Sequence, residues 1–326
     1  MPCMKTGSWD LGVSEELEMV EKRMRELVNS PQMTLTNVAL HVIGAGGKRV
    51  RPTLAILSHH ALHGNDLGKL IDIAAAMELI HSATLVHDDI NDGADIRRGR
   101  KAAYKQFGLH EAIVAGDFLF ARAFYVGGLF SKKIVEVVAT STTRLAEGEM
   151  MQFTHKWDST LSVDQYLKII EGKTAHPIKS AAEIGASLAE GRPEDIQALG
   201  EYGLNLGIAF QIIDDVLDVS GDERSLGKPI GTDLKEGNLT LPLILARDED
   251  KAAARKIKEI FAAKSVTDAQ VSETLKIVLG TGAVKKSIEI ARGYATGATE
   301  YLDRLPESVH RSSLIELSRL VIDRTN

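Results

Sequence analysis

Residues 81–100 read HSATLVHDDINDGADIRRGR, and three aspartates, Asp88, Asp89 and Asp92, stand at the end of an apolar helical run. On an α-helix, which turns about 100° per residue, Asp88 and Asp92 project about 40° apart, and Asp89 falls beside them. Three like charges on one face repel one another, so a plain solvated helix end would be destabilised. Mg²⁺ relieves this repulsion, because it takes carboxylate oxygens and completes its shell with waters and substrate phosphates. The stretch therefore predicts a helix end that binds Mg²⁺.

The same DDxxD pattern occurs a second time, in FQIIDDVLD at residues 210–218. Asp214, Asp215 and Asp218 repeat the first spacing, again at the end of an apolar run. One copy would be weak evidence for a metal site. Two copies in one chain of average acidic content favour a pair of functional metal-binding motifs.

The composition of the chain restricts the possible fold classes. The 326 residues suit one large domain or two ordinary ones. Hydrophobic residues make up 44% and aromatic residues only 5%, so the core is largely aliphatic and alanine, which favours packed helices over sheets. A net charge of −6 gives no general nucleic-acid signal. Cys3 is the only cysteine, so no internal disulfide can form and a reducing compartment, the cytoplasm, is expected.

Apolar residues recur at helical spacing almost throughout, and no segment shows the alternation of apolar and polar residues that is typical of a strand. We expect one all-α domain over residues 1–326, with no signal peptide and no segment of about 20 apolar residues that would span a membrane. Helices are predicted over 14–29, 35–43, 69–92 and 132–153, and others begin at Pro52 and Pro193.

A basic cluster precedes Pro52 in GGKRVRP, residues 46–52. Pro52 suits the first position of a helix, which would place Lys48, Arg49 and Arg51 at a helix amino terminus. Backbone amides and the helix dipole there favour an anion. A plain basic turn is the alternative, but three cations beside two glycines favour a diphosphate site.

His81 lies two helical turns before Asp88, within about 20° of the same face. A structural role and a ligand contact are both open for it. Arg97 and Arg98 follow the motif directly. Adjacent arginines cannot share one face, so these two could bind two separate anions.

Polar residues near the second motif are the remaining candidates. Lys173 stands at a glycine break, where a phosphate contact or a plain surface position is possible, and Gln211 shares the carboxylate face of Asp214. The polar loop that follows Asp218 carries Lys228, and a loop of this length in a compact domain is usually functional.

The order of these motifs resembles that of the trans-isoprenyl diphosphate synthases. The matching segments are GGKRVRP, HSATLVHDDIND with RRG, GKT at 172–174, and FQIIDDVLD with GKPIGTD, and they cover residues 46–242. The resemblance implies a bundle of long helices around a deep central cavity, a homodimer, and two aspartate motifs facing each other near the cavity mouth. It implies a prenyltransferase that joins isopentenyl diphosphate to an allylic diphosphate of the dimethylallyl, geranyl, farnesyl or geranylgeranyl type.

The resemblance also assigns roles to individual residues. Three Mg²⁺, for which Mn²⁺ could substitute, would be held by Asp88, Asp89, Asp92, Asp214, Asp215 and Asp218. The allylic diphosphate would be bound by Arg97, Lys173 and Lys228. Isopentenyl diphosphate would be bound by Lys48, Arg51, His81 and Arg98. Thr174 and Gln211 would turn oxygens toward the allylic cation, so that Lys173, Thr174 and Gln211 form the catalytic set.

Two departures bear on the product. Asn238 stands where the family often has a lysine, and Ala83 and Thr84 stand where short-product members place bulky aromatics. The motif details are therefore most similar to geranylgeranyl or longer-chain members, with Phe118 or Phe120 closing the floor of the cavity.

Three other functions remain as alternatives. A farnesyl diphosphate synthase would make a shorter product by the same reaction. A class I terpene cyclase would normally lack the second DDxxD and the Lys48 and Arg51 cluster. A non-catalytic prenyl synthase subunit would typically have lost aspartate motifs, and both are intact here.

Overall fold

The computed structural model describes residues 11–221 and 230–324, and most of this length is helical. The first ten α-helices, numbered in chain order, are α1 (Ser14–Leu27), α2 (Met33–Ile43), α3 (Val50–Ala61), α4 (Leu67–Asn91), α5 (Ala103–Phe107), α6 (Leu109–Gly127), α7 (Lys132–Thr154), α8 (Val163–Ile170), α9 (His176–Leu188) and α10 (Pro193–Ser220). The others are α11 (Thr232–Glu236), α12 (Leu241–Glu249), α13 (Lys251–Ala263), α14 (Asp268–Leu279), α15 (Ala283–Glu300) and α16 (Val309–Asp323). The all-α prediction is confirmed.

One strand pair was missed by the sequence patterns. Strands β1 (Ile96–Arg97) and β2 (Arg100–Lys101) form a two-residue antiparallel hairpin, in which Arg97 is paired with Arg100. Strands this short carry no alternation of apolar and polar residues, so periodicity could not reveal them. The hairpin matters because Arg97 and Arg98 lie on it.

Chain contacts divide the protein into two compact units, and the prediction of one domain stays a prediction. The described part of the first unit covers residues 11–140, 180–200 and 302–317. Its centre is α4, which packs against α1, α2, α3, α5 and α6. A buried apolar cluster of Val38, Val86, Ala103, Ala112 and Ala115 joins four of these helices. Val86 lies two residues before Asp88, so this cluster anchors the end of α4 that carries the first aspartate motif.

Helix α4 is the one described helix that is long and apolar enough to cross a membrane, and 72% of its most apolar window is buried. Two buried or half-buried acids on it, Asp72 and Glu78, form ion pairs with Arg23 and Arg49 of the same unit. Burial and internal ion pairs of this kind are typical of the core helix of a globular unit.

The second unit comprises residues 141–179, 201–221 and 230–301, with 318–324 at the end of the described chain. Helix α12 lies at its centre and packs against α8, α13, α14 and α15. The fully buried hydroxyls of Tyr202 and Ser318 lie 3.3 Å apart in its core. The second aspartate motif occupies the last turns of α10, within this unit.

Two local predictions were wrong in detail. Helix α3 begins at Val50, so Pro52 is the third residue of the helix rather than the first. Proline is still tolerated there, because amides of the first turn have no intrahelical partner. The glycine at 172 does not break the helix either, since residues Glu171–Ala175 form a π-helical turn that connects α8 to α9.

Candidate active site

The first unit carries a basic loop, residues 44–49, that leads into α3. Arg49 caps α3 in the left-handed conformation, with φ 50° and ψ 37°. Its guanidinium is buried and donates to Glu21 Oε1 at 2.6 Å, to Glu78 Oε1 at 2.6 Å and to the carbonyl of Ile43 at 2.9 Å. Arg49 is therefore fully engaged inside the unit, whereas its neighbour Lys48 is exposed.

Arg51 lies in the first turn of α3, and its Nε is buried with no hydrogen-bond partner among the described residues. Burial lowers the pKa of Arg51, the carboxylate of Glu78 opposes this, and Arg98 adds to it. A buried donor without a partner is costly in a native structure. An anionic ligand would satisfy it, which fits the prediction for Arg51.

Arg98, in the turn of the β-hairpin, lies in contact with this loop. Its Nη1 donates to the carbonyl of Gly46, and a Cβ on Gly47 would lie 2.5 Å from the same nitrogen. Glycine at 47 is thus required for this close approach. The hairpin also gives Arg98 a left-handed φ of 50°. The structure brings Arg98 to the basic loop, as the shared assignment of Lys48, Arg51 and Arg98 requires.

His81 faces this basic group from α4. Burial holds the pKa of His81 well below its usual range, and the nearby Arg51 and Arg98 lower it further. The imidazole is therefore neutral at pH 7 and can offer a hydrogen bond but no charge. A ligand contact by His81 would therefore be a neutral hydrogen bond and not an ion pair.

The first aspartate motif ends α4, with Asp92 as its C-cap. Asp88 and Asp92 are partly exposed, whereas Asp89 is buried. The Nε of Arg97 donates to Asp89 Oδ1 at 2.6 Å. Burial raises the pKa of Asp89, and the ion pair with Arg97 counteracts that rise. Asp89 and Arg97 are therefore bound to each other, and the carboxylates with exposed area are those of Asp88 and Asp92.

The second motif occupies the last turns of α10 in the second unit. Asp215 is buried and accepts from Tyr166 Oη at 2.5 Å and from Gln211 Nε2 at 2.8 Å. Burial raises the pKa of Asp215 to about 7, although both donors oppose the rise. Thr174 in turn donates to Gln211 Oε1 at 2.8 Å. Thr174, Gln211 and Asp215 thus form one hydrogen-bonded chain, which links the two residues predicted to face the allylic cation to a predicted metal ligand. Tyr166 is a member of this chain that sequence reasoning missed.

Lys173 occupies the π-helical turn between α8 and α9. Its Nζ forms an ion pair with Glu149 Oε2 at 2.5 Å and donates to Gln152 Oε1 at 3.0 Å. A Cβ on Gly148 would lie 2.5 Å from the backbone nitrogen of Lys173, so α7 and this turn touch through a glycine. π-Helical turns often mark functional positions, and this one aims Lys173 at the carboxylate of α7.

The other aspartates of the second motif differ from one another. Asp214 is partly exposed and forms an ion pair with Arg324 at 2.5 Å, and that guanidinium also lies over the ring of Phe210. Asp218 is buried, and its Oδ2 accepts from the backbone amide of Asp233 at 3.1 Å. Arg324 was missed because nothing in its sequence position signals a contact 110 residues away.

The remaining predictions concern Lys228 and Asn238, the chain-length positions and the floor of the cavity. Lys228 lies outside the described residues. Asn238 is buried and donates to Glu236 Oε2 at 3.2 Å, a contact within the same segment. Ala83 is fully buried, whereas Thr84 is partly exposed and donates to the carbonyl of His81 at 2.8 Å. Phe120, one of the two proposed floor residues, lies 6.0 Å from His87, ring centre to ring centre.

The donor chemistry of both motifs fits Mg²⁺. Each motif offers carboxylate oxygens on one helix face and no thiolate or imidazole ligand, which suits a hard cation. Among the described residues, no group of three or more His, Cys, Asp or Glu side chains is arranged so that it alone could hold a metal ion. Mg²⁺ is usually held by one or two carboxylates together with substrate phosphates, so a complete set of protein ligands is not expected for it.

Three features match those expected of a prenyltransferase of the isoprenyl diphosphate synthase class. They are the helical architecture, the two acidic motifs and the basic loop with an unsatisfied buried donor. Comparison with known proteins is in agreement: residues 32–278 match the polyprenyl synthetase family. The chain belongs to this family.

Relatives cover nearly the whole chain. An all-trans-nonaprenyl-diphosphate synthase (geranyl-diphosphate specific) from Rhodobacter capsulatus is 36% identical over 96% of both chains. A short chain isoprenyl diphosphate synthase from Methanothermobacter thermautotrophicus is 38% identical over 94% of this chain and 96% of its own. The crystal structure of a polyprenyl synthase from Caulobacter crescentus, complexed with calcium and isoprenyl diphosphate, superposes with a TM-score of 0.92 at 35% identity, covering 99% of this chain and 100% of its own.

Proposed function

We propose that the protein is a Mg²⁺-dependent trans-polyprenyl diphosphate synthase that condenses isopentenyl diphosphate head-to-tail with an allylic diphosphate. The observation that carries this proposal is the presence of two intact DDxxD motifs, each with a partly exposed first aspartate, Asp88 and Asp214. Departure of diphosphate from an allylic carbon requires neutralisation of growing negative charge. Bound Mg²⁺, three ions by family resemblance with Mn²⁺ as a substitute, would supply that neutralisation.

The chain's own residues supply binding and orientation. We assign all six motif aspartates to the metal-bound allylic diphosphate, with Arg97, Lys173 and Lys228 as its direct cationic contacts. We assign Lys48, Arg51, His81 and Arg98 to isopentenyl diphosphate, supported by the unsatisfied Nε of Arg51 and the neutral imidazole of His81. The hydrogen-bonded oxygens of Thr174 and Gln211 would face the allylic cation, in a site from which water is excluded.

For the product, we propose an all-trans chain longer than fifteen carbons. The small, buried Ala83 and the modest Thr84 leave room on the helix that carries the first motif. The relatives named above include both a nonaprenyl and a short chain synthase, so their names support chain elongation without fixing its length.

We also propose a homodimer in the cytoplasm. Helix α6 and the turn after it expose large apolar side chains, including Val114 at 52%, Phe124 at 59%, Tyr125 at 60% and Leu129 at 62% of their area. An apolar surface of this kind usually marks an interface. A second copy of the chain would bury it, and sedimentation of the purified protein tests this. The single cysteine supports a reducing compartment.

The decisive experiment incubates purified protein with Mg²⁺, isopentenyl diphosphate and each allylic starter, followed by chromatography of the dephosphorylated products. We expect a ladder of linear prenols that ends above fifteen carbons. A cyclic hydrocarbon would indicate a terpene cyclase, farnesol as the end product would indicate a farnesyl diphosphate synthase, and absence of any product would indicate a non-catalytic subunit. Each of these results would overturn the proposal.

A further inference from the structure

A buried ion network holds the basic loop of the first unit in place. Arg49 joins Glu21 of α1 to Glu78 of α4, and it also donates to the carbonyl of Ile43 at the end of α2. The side chains of Arg49, Glu21 and Glu78 are only 7%, 13% and 3% exposed. One guanidinium thus connects three helices to the N-cap of α3.

In the sequence, Arg49 lies between two of the three cations assigned to isopentenyl diphosphate. Lys48 is one residue before Arg49 and Arg51 is two residues after it. The loop before them contains Gly46 and Gly47, both with positive φ, and has no regular structure of its own. Because glycine-rich backbone is conformationally free, contacts of the loop with the helices must fix it, and Arg49 makes three of them.

Glu78 also affects the two arginines that face the ligand. Its carboxylate opposes the effect of burial on the pKa of Arg51 and of Arg98, so its negative charge acts on both guanidiniums. In the folded chain this carboxylate is in contact with Arg49 at 2.6 Å. A buried carboxylate that lost this partner would seek another cation, because an unpaired buried charge is strongly destabilising.

We propose that Arg49 is a positioning residue for isopentenyl diphosphate binding: it fixes Lys48 and Arg51 and keeps Glu78 from competing with the diphosphate for Arg51 and Arg98. Arg49 is buried among protein partners and does not touch the substrate. The inference rests on the proposed function, because it takes Lys48, Arg51 and Arg98 as the isopentenyl diphosphate contacts.

The test compares steady-state kinetics of wild type, Arg49→Met and the double variant Arg49→Met/Glu78→Gln. Arg49→Met should raise the KM for isopentenyl diphosphate about tenfold, the equivalent of one charge-assisted contact, while the allylic KM and kcat change less than about threefold. The double variant removes the competing charge and should recover at least about threefold of the lost affinity. If Arg49→Met does not fold, Arg49→Lys takes its place, since one ammonium can pair with Glu78 but cannot reach all three acceptors.

Arg23→Met is the matched control, because Arg23 also joins α1 to α4, through Asp72 at 2.6 Å, but lies away from the basic loop in sequence. It should leave both KM values unchanged. An unchanged KM for isopentenyl diphosphate in Arg49→Met, an equal rise in both KM values, or no recovery in the double variant would each overturn the inference. If Lys48→Ala and Arg51→Ala also leave that KM unchanged, the fault lies in the proposed binding site instead.

Discussion

The two aspartate motifs have the same letters and spacing but different surroundings. In both, the middle aspartate is buried, Asp89 and Asp215 each at 4% exposure. Asp89 is paired with a cation, Arg97, whereas Asp215 accepts from the neutral donors Tyr166 and Gln211. Both motifs thus have a buried and occupied middle carboxylate, but the charge of its partner differs. The third aspartate also differs, since Asp92 is partly exposed and Asp218 is buried.

The carboxylates can be ranked by how well each is placed to bind Mg²⁺. A carboxylate that already accepts hydrogen bonds from protein groups has fewer lone pairs left for a metal ion. The first aspartate of each motif, Asp88 and Asp214, keeps exposed surface, although Asp214 also pairs with Arg324. We therefore expect it to bind Mg²⁺ more readily than the buried middle one. The middle aspartates are in contact with neighbouring side chains, Asp89 with Arg97 and Asp215 with Tyr166 and Gln211.

The largest expected effect follows from this ranking. Asp88→Ala and Asp214→Ala should each lower kcat/KM at saturating Mg²⁺ by more than about a thousandfold, because metal stabilisation of the leaving diphosphate is worth several kcal/mol. Asp89→Asn and Asp215→Asn, which keep one acceptor oxygen, should cost about ten- to a hundredfold. Equal losses at the first and middle positions would break the ranking, and full activity of Asp88→Ala would refute the metal assignment.

The next effect tests the basic side of the first unit. Lys48→Ala and Arg51→Ala should each remove a charge-assisted contact worth about 1.5–3 kcal/mol, and so raise the KM for isopentenyl diphosphate roughly ten- to a hundredfold. The allylic KM should change little. Initial rates at varied concentrations of each substrate distinguish the two. Equal changes for both substrates would mean that the cluster binds the other diphosphate.

Tyr166→Phe tests the neutral partner of Asp215. The substitution leaves a buried carboxylate without its 2.5 Å donor, so the free energy of unfolding at pH 7 should fall by about 1–3 kcal/mol. Urea unfolding without Mg²⁺ measures this, with Tyr104→Phe as a control at a tyrosine outside the network. A loss no greater than that of the control would show that Gln211 alone suffices.

His81→Gln tests whether the imidazole acts without charge. Because its folded pKa lies below its unfolded value, the unfolded state binds more protons below about pH 6.5, and wild-type stability falls as the pH drops through that value. Glutamine should remove up to about 1.4 kcal/mol per pH unit of this slope. At pH 7.5 it should leave the KM for isopentenyl diphosphate within about threefold, since an amide can replace a neutral hydrogen bond. A large rise in KM would show that the imidazolium form binds.

Sequence patterns predicted what depends on local spacing. The helices, both aspartate motifs and the basic loop follow from periodicity and charge, and the structure bears out the all-α fold. Contacts between residues far apart in the sequence could not be predicted from local spacing. Tyr166 lies 49 residues from Asp215, and Arg324 lies 110 residues from Asp214. Arg49 shows a second limit, because a cation in a basic cluster reads as a ligand contact until the buried acids Glu21 and Glu78 are located beside it.

The last prediction concerns the residues before each motif, where a substitution should change the reaction rate least but should change the chain length of the product. Five positions before the first aspartate both helices have a fully buried alanine, Ala83 and Ala209, whereas four positions before it one has Thr84 and the other Phe210. Position 84 is partly exposed, unlike the fully buried position 83, and Thr84→Phe gives the first helix the residue that the second already carries.

Thr84→Phe should therefore shorten the main product, because a ring here narrows the space about one helical turn, or 5.4 Å, below Asp88, while the first condensation proceeds at a near-normal rate. Ala83→Phe enters a closed core and should cost about 1–3 kcal/mol of stability through overpacking, whatever its effect on the product. Product chromatography and thermal unfolding are measured on both variants, with Thr84→Val as the control of similar size. If both phenylalanine variants keep the wild-type product distribution, the helix that bears the first motif does not set the chain length, and the limit must lie on another element, for which Phe120 is the next position to change.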